Sequence, residues 1–191
     1  MKSKINQLFE DQKSVHVVYT YKGMDTYIER AVSYIKDGVI AGDYVIFVEN
    51  ERLYSIIHKE LGMQLTKDQM EFIHHINNFD FYYSTRSYHP SMIVDCFNKT
   101  VQPYLENKLS FRAWSHVEWA TMTEPLHLIK ELEKIIDEAV MLLSFPLICA
   151  YDGEKMPDYL QTLLLETHPY GLLEDEFIIS EQYQRLKKEQ A

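Results

Sequence analysis

His116 and Glu118 stand two residues apart in the segment SHVEW, inside a run, FRAWSHVEWA, that reads as a β-strand. Alternation along a strand puts this imidazole and carboxylate on one face, with Val117 and Trp119 on the other. Such a pair can bind a metal, share a proton or grip a polar ligand; it can equally be a strand-end hydrogen-bond network. A metal would need a third ligand, which His16 or His168 supplies only if it converges on the pair. Arg112, four residues before His116, shares its face and wants a carboxylate, with Glu118 or Asp152 as candidates. Tyr151 and Asp152 end a second strand-like run, PLICAYD. No Gly-x-Ser-x-Gly elbow occurs, and neither Cys96 nor Cys149 opens a helix, so nothing marks a nucleophile. The expectation is a binding site without catalysis, with no cofactor and no metal.

The elements that must position these residues alternate. VHVVYT (15–20) and YVIFVE are buried strands, separated by a helix from Thr26 that repeats Ile28, Ala31, Ile35 and Val39 at helical spacing. Thr26 and Glu29 have the spacing of a capping box. ERLYSIIHKELG is a helix stopped by Gly62, and TKDQMEFIHHIN is helical or irregular. FDFYYS (79–84) reads as a third strand, and the helix after it carries Pro103. The longest amphipathic helix is EPLHLIKELEKIIDEAVMLLS, with Ile129, Leu132, Ile136, Ala139 and Leu143 on its stripe. MPDYLQTLLLETH is another helix and EDEFIIS a last strand. Strands alternating with helices predict an α/β fold of three layers, a mostly parallel sheet with helices on both faces. Ligands in such folds bind where the strands end.

Residues 16–50 have the layout of a nucleotide site: strand, glycine loop, helix, strand. Yet the loop YKGMDT puts Asp25 near the place of the phosphate-binding lysine. An aspartate suits the helix dipole and opposes an incoming anion. At 4 Å two like charges repel by about 4 kcal/mol at an effective dielectric near 20. Whether Asp25 and Thr26 merely cap a helix or not, the turn is not a phosphate loop.

Composition narrows the classes further. The 191 residues fit one domain, 1–191, and are 46% hydrophobic and 25% charged, with a net charge of -10 that opposes binding to nucleic acid. No run approaches the roughly 20 apolar residues of a membrane span, and the N-terminus lacks the apolar core of a signal peptide. A cytoplasmic location with reduced cysteines is expected.

His16 opening strand one, the Tyr19-to-Gly23 loop, DYVIFVEN, FRAWSHVEWA, ICAYD and THP occur in this order in the methanogen/methylotroph, DcmR-type sensory domain, MEDS. The chain resembles that family over about residues 14–183. The resemblance implies a RecA/KaiC-like fold with a degraded phosphate loop, and a sensory module for small, hydrocarbon-like compounds. It also implies pocket roles for His16, Arg112, Glu118, Trp119, Tyr151, Asp152 and His168; His116 joins them from the strand reading, and Tyr19 as the residue that opens the Tyr19-to-Gly23 loop. The expected function is a sensor that binds a small molecule at the sheet edge. Loops 20–26, 84–91 and 153–157 would shift, and the signal would pass through protein contact, to a histidine kinase or a transcription regulator. Two alternatives stand beside it. One is an interaction protein whose old pocket is plugged by some of its 14 tyrosines and nine phenylalanines; the other is a residual nucleotide-binding enzyme.

Overall fold

The computed structural model describes residues 8–9, 12–83, 88–118, 126–173 and 176–189. Trp119 and residues 84–87 of one expected mobile loop lie outside them. Seven strands form a mostly parallel sheet, and the chain divides into two compact units, Gly23–His116 and Met1–Lys22 with Val117–Ala191.

In the unit Gly23–His116, strands β2 (Tyr44–Glu49), β3 (Ile73–Asn77) and β4 (Phe111–His116) run in the order β3-β2-β4, with both pairings parallel. Every residue of β4 is buried, as a strand covered on both faces requires. Period two shows what covers each face. Helix α1 (Met24–Ala41) brings Tyr27 to Trp114, and helix α4 (Asn78–Tyr83) brings the Tyr82 hydroxyl to within 2.6 Å of Ser115 Oγ. Helices α2 (Glu51–Gly62), α3 (Lys67–Met70) and α5 (Pro90–Glu106) complete the unit.

The other unit holds β1 (Val15–Tyr21), β5 (Pro146–Asp152), β6 (Tyr170–Leu173) and β7 (Glu176–Ile179), ordered β5-β1-β6-β7. All pairings are parallel except β6 with β7. Both β1 and β5 are buried throughout, and His16 registers with Leu147 and Val18 with Cys149, so His16 and Cys149 share a face. Helices α6 (Leu126–Leu143), α7 (Asp158–Thr167) and α8 (Glu181–Glu189) belong to this unit.

Three local expectations are corrected. FDFYYS is not a strand: Asn77 Oδ1 accepts from the backbone N–H groups of Phe79 and Asp80, at 2.9 and 3.3 Å, and starts α4 instead. The strand is the preceding Ile73–Asn77. The capping box at Thr26 does not form, because α1 already begins at Met24 after Gly23, whose φ of 79° suits glycine. The fourth strand ends at His116, two residues before Glu118.

Candidate functional site

Helix α6 carries two acids on its buried side. Ile129, Leu132, Glu133, Asp137 and Val140 are all buried, so the stripe that packs against β1 contains carboxylates at i and i+4. A buried carboxylate costs several kcal/mol unless it is paired and hydrogen-bonded. Here the partners come from the sheet and from the end of α7. His16 Nδ1 lies 3.3 Å from Asp137 Oδ1, and His16 Nε2 lies 3.5 Å from Glu133 Oε2. Tyr151 donates its hydroxyl to Glu133, and Tyr183 donates to Asp137 at 2.8 Å. Cys149 Sγ sits 3.5 Å from His16 Nε2 and 3.7 Å from Glu133 Oε2.

His168 completes the cluster. It is the C-terminal cap of α7, and its Nδ1 donates to the Leu164 carbonyl at 2.9 Å, which fixes the tautomer. Its ring centre lies 3.9 Å from that of His16, with the two planes tilted by 35°, and its Nε2 faces Glu133 Oε2 at 3.4 Å.

The charges follow from this packing. Burial depresses the pKa of His16, but its hydrogen bonds to Asp137 and Glu133 and their charges outweigh that and hold it above 6.5. Burial and neighbouring His16 push His168 down to about 3. Burial opposes the charge of Glu133, yet the hydrogen bond and charge of His16 and the hydroxyl of Tyr151 keep it below the ordinary carboxylate range; His16 does the same for Asp137. Burial, and then Glu133, raise the Cys149 thiol well above its usual value, which leaves it a poor nucleophile.

A cleft of about 180 Å³ opens above this cluster between α6, α7 and α8. Asp137 and Thr167 line it; Asp137 contacts His16, and Thr167 contacts the Nδ1 of His168. Lys130, Lys134, Lys187 and Tyr183 form its walls.

The unit Gly23–His116 has its own buried polar group at the strand ends. Glu49, the last residue of β2, is fully buried and pairs at 2.7 Å with Nδ1 of His116, the last residue of β4. Tyr27 also donates to Glu49, Trp114 Nε1 donates to the Tyr27 hydroxyl at 3.0 Å, and Asn50 N–H donates to Glu49 Oε1 at 2.8 Å. A larger cleft of about 660 Å³ lies between α1 and α2, with Asp25, Glu29, Lys36 and Glu60 among its lining.

The nine residues singled out from sequence therefore go to different places. His16, Tyr151 and His168 meet, and they meet Glu133 and Cys149. His116 pairs with Glu49, while Glu118 is exposed. Arg112 shares the His116 face but lies four residues away, about 13 Å along the strand. It pairs with Asp43, beyond the turn at Gly42, a partner the strand reading did not name. Tyr19 is buried, on the opposite face of β1 from His16. Asp152 anchors its own loop, accepting from Glu154 N–H at 3.0 Å and pairing with Lys155 at 2.7 Å. Trp119 is among the residues not described. Glu133, Asp137, Glu49 and Tyr27 are additions that the strand-based reading passed over. For α6 a signal existed, since both acids fall between Ile129 and Val140 on the packing face.

No curated protein matches the chain. Among solved structures it is similar to one described as a unique ATP synthase subunit NeqB from Nanoarcheaum equitans, at 10% identity with a TM-score of 0.51. That alignment covers 85% of this chain and 45% of the subunit, so the chain spans less than half the subunit's length, and the likeness is one of fold alone. A family model described as MEDS, the MEthanogen/methylotroph, DcmR Sensory domain, matches residues 15–169, from the first residue of β1 past His168. The chain belongs to the MEDS family of sensory domains.

Proposed function

We propose that this chain is a non-catalytic regulatory domain that binds a small polar molecule in the cleft between α6, α7 and α8. The bound state would be passed on through protein contact, with a histidine kinase or a transcription regulator as the partner class. Family membership gives the sensory role. The observation that carries the location is the cleft lining, where Asp137 and Thr167 are at once cleft residues and the hydrogen-bond partners of the buried His16 and His168. A ligand displacing the Asp137 or Thr167 contact would change the balance of a sealed network, which is what a sensor needs. At about 180 Å³ the cleft suits a molecule of a few heavy atoms. The high thiol pKa of Cys149 and the burial of its surroundings favour recognition over turnover.

A thermal-shift screen of the purified chain against small polar metabolites, with ATP and GTP included, tests this reading. A ligand at 100 times its Kd adds about 2.7 kcal/mol, or roughly 5–11 °C in Tm for a domain of this size. Lys134→Glu, which changes only the cleft wall, should abolish the shift. If every compound leaves Tm unmoved, or a shift survives that substitution, the cleft is not the sensing site. A shift with nucleotide that is lost in Lys22→Ala would instead revive a phosphate site.

A further inference from the structure

We infer that His16, Glu133, Cys149 and His168 form a closed binding site for a divalent transition-metal ion, zinc before others. Each residue offers one ligand atom, these atoms all lie within 4.8 Å of one another, and all four residues are buried. Four of the separations are 3.4 Å (His168 to Glu133), 3.5 Å (His16 to Glu133), 3.5 Å (His16 to Cys149) and 3.7 Å (Glu133 to Cys149). A tetrahedral ion with bonds of about 2.0–2.3 Å has edges of about 3.3–3.8 Å between its ligands. Four of the six edges already have those lengths, and the other two, from His168 to His16 and to Cys149, are within 4.8 Å. A mixed imidazole, thiolate and carboxylate set suits zinc, and disfavours magnesium and calcium, which want oxygen.

A second observation is independent of those distances. His168 commits its Nδ1 proton to the Leu164 carbonyl, so its Nε2 presents a lone pair. That atom is fully buried and makes no hydrogen bond, while it faces a carboxylate oxygen at 3.4 Å. Two electron-rich atoms pointed at each other in a buried core repel, and a cation between them turns the repulsion into two bonds. The outer contacts fit as well. His16 turns its other nitrogen to Asp137, His168 turns its own to a backbone carbonyl, and Tyr151 holds the second oxygen of Glu133. Metal-bound histidines are oriented by such partners. Binding would expel the Cys149 thiol proton and any proton between His16 Nε2 and Glu133. With four protein ligands no position is left for substrate, so the ion would organise the core and not catalyse. Asp137, which lines the cleft, gives a route of entry.

The site stands apart from the small-molecule reading, and the experiment separates the two. The full chain is stripped with chelator, checked for fold by circular dichroism, and titrated with Zn²⁺ and Co²⁺ alone. The expected results are one ion per chain, a Tm rise of about 8–16 °C at a thousandfold over Kd, and a tetrahedral Co²⁺ spectrum with a sulfur-to-cobalt charge-transfer band. Cys149→Ser should lose that band. Asp137→Asn should weaken affinity about 10–100-fold through His16, and a surface control, His74→Gln, should change neither. Folded wild-type protein that takes up no stoichiometric ion overturns the proposal without a variant being needed. So does a Cys149→Ser chain whose Co²⁺ spectrum equals that of wild type. Small-molecule shifts in stripped protein would leave the cleft reading intact even then.

Discussion

Replacing His116 with alanine should be among the most damaging single changes available in the unit Gly23–His116. Glu49 is completely buried, and among the described residues it keeps Tyr27 and Asn50 as donors once the imidazole is gone. Removing one partner of a buried pair costs about 3–5 kcal/mol, because the remaining charge is left uncompensated. Typical domains have only about 5–15 kcal/mol in hand. With a urea m-value near 2 kcal/mol/M, a 4 kcal/mol loss moves the midpoint down by about 2 M. Two further variants separate charge from cavity. His116→Phe fills the space without an N–H donor and should remain destabilised by at least ~2 kcal/mol if pairing is what matters. Glu49→Gln combined with His116→Ala removes the orphaned charge, so the double variant should be less damaged than the sum of the singles, by about 2–3 kcal/mol. A loss below about 1 kcal/mol in His116→Ala, or additivity within about 0.5 kcal/mol, would refute the claim that this pair holds the strand ends together.

Two other outcomes follow from the packing. In chelator-stripped protein, stability should fall with acid between pH 6.5 and 5. His168 has a folded pKa of about 3 against 6.5 when unfolded, so its contribution is whole above pH 6.5 and lost as pH drops towards 3. The full gap is worth about 5 kcal/mol and the part down to pH 5 about 2 kcal/mol. Glu133 and Asp137, held low, add to the loss at still lower pH, while His16, held high, acts in reverse on the alkaline side. Urea midpoints that are flat from pH 7 to 5, or a slope unchanged in His168→Gln, would contradict this. Gly38→Ala should destabilise by about 1–2 kcal/mol despite the better helix propensity of alanine. Its Cβ would lie 2.7 Å from Cδ and 2.8 Å from Nε of Arg112, which Asp43 pins in place. A rise in Tm would show that Arg112 yields without cost.

The same kind of contact explains how far the sequence could be read. The central strands were legible because VHVVYTY, YVIFVE and PLICAYD are runs of strand length dominated by β-branched and other apolar residues, and such runs fit a sheet covered on both sides. The stretch 73–84 misled, because its aromatic residues carry strand propensity while the deciding event is local. Asn77 caps two amides and turns the chain into α4, and the edge strand before it tolerates His74 and His75, whose propensity is unremarkable. The candidate site failed in a different way. Alternation along a single strand correctly put Arg112 and His116 on one face, but it says nothing of the neighbouring strand's register. Glu49 was therefore invisible as the partner of His116, and Glu118 took its place in the reading. On α6 the information was present: a helix stripe running Ile129, Leu132, Ile136 leaves Glu133 and Asp137 facing inward at helical spacing, and acids held inside demand cations or imidazoles. His16 and His168 were already marked as histidines in strand-end and helix-end positions. Carboxylates on the buried face of a helix, taken with histidines at a strand start and a helix end, point to this cluster, whereas Cys149 enters it only through the register of β5 with β1, which no single strand's pattern reveals.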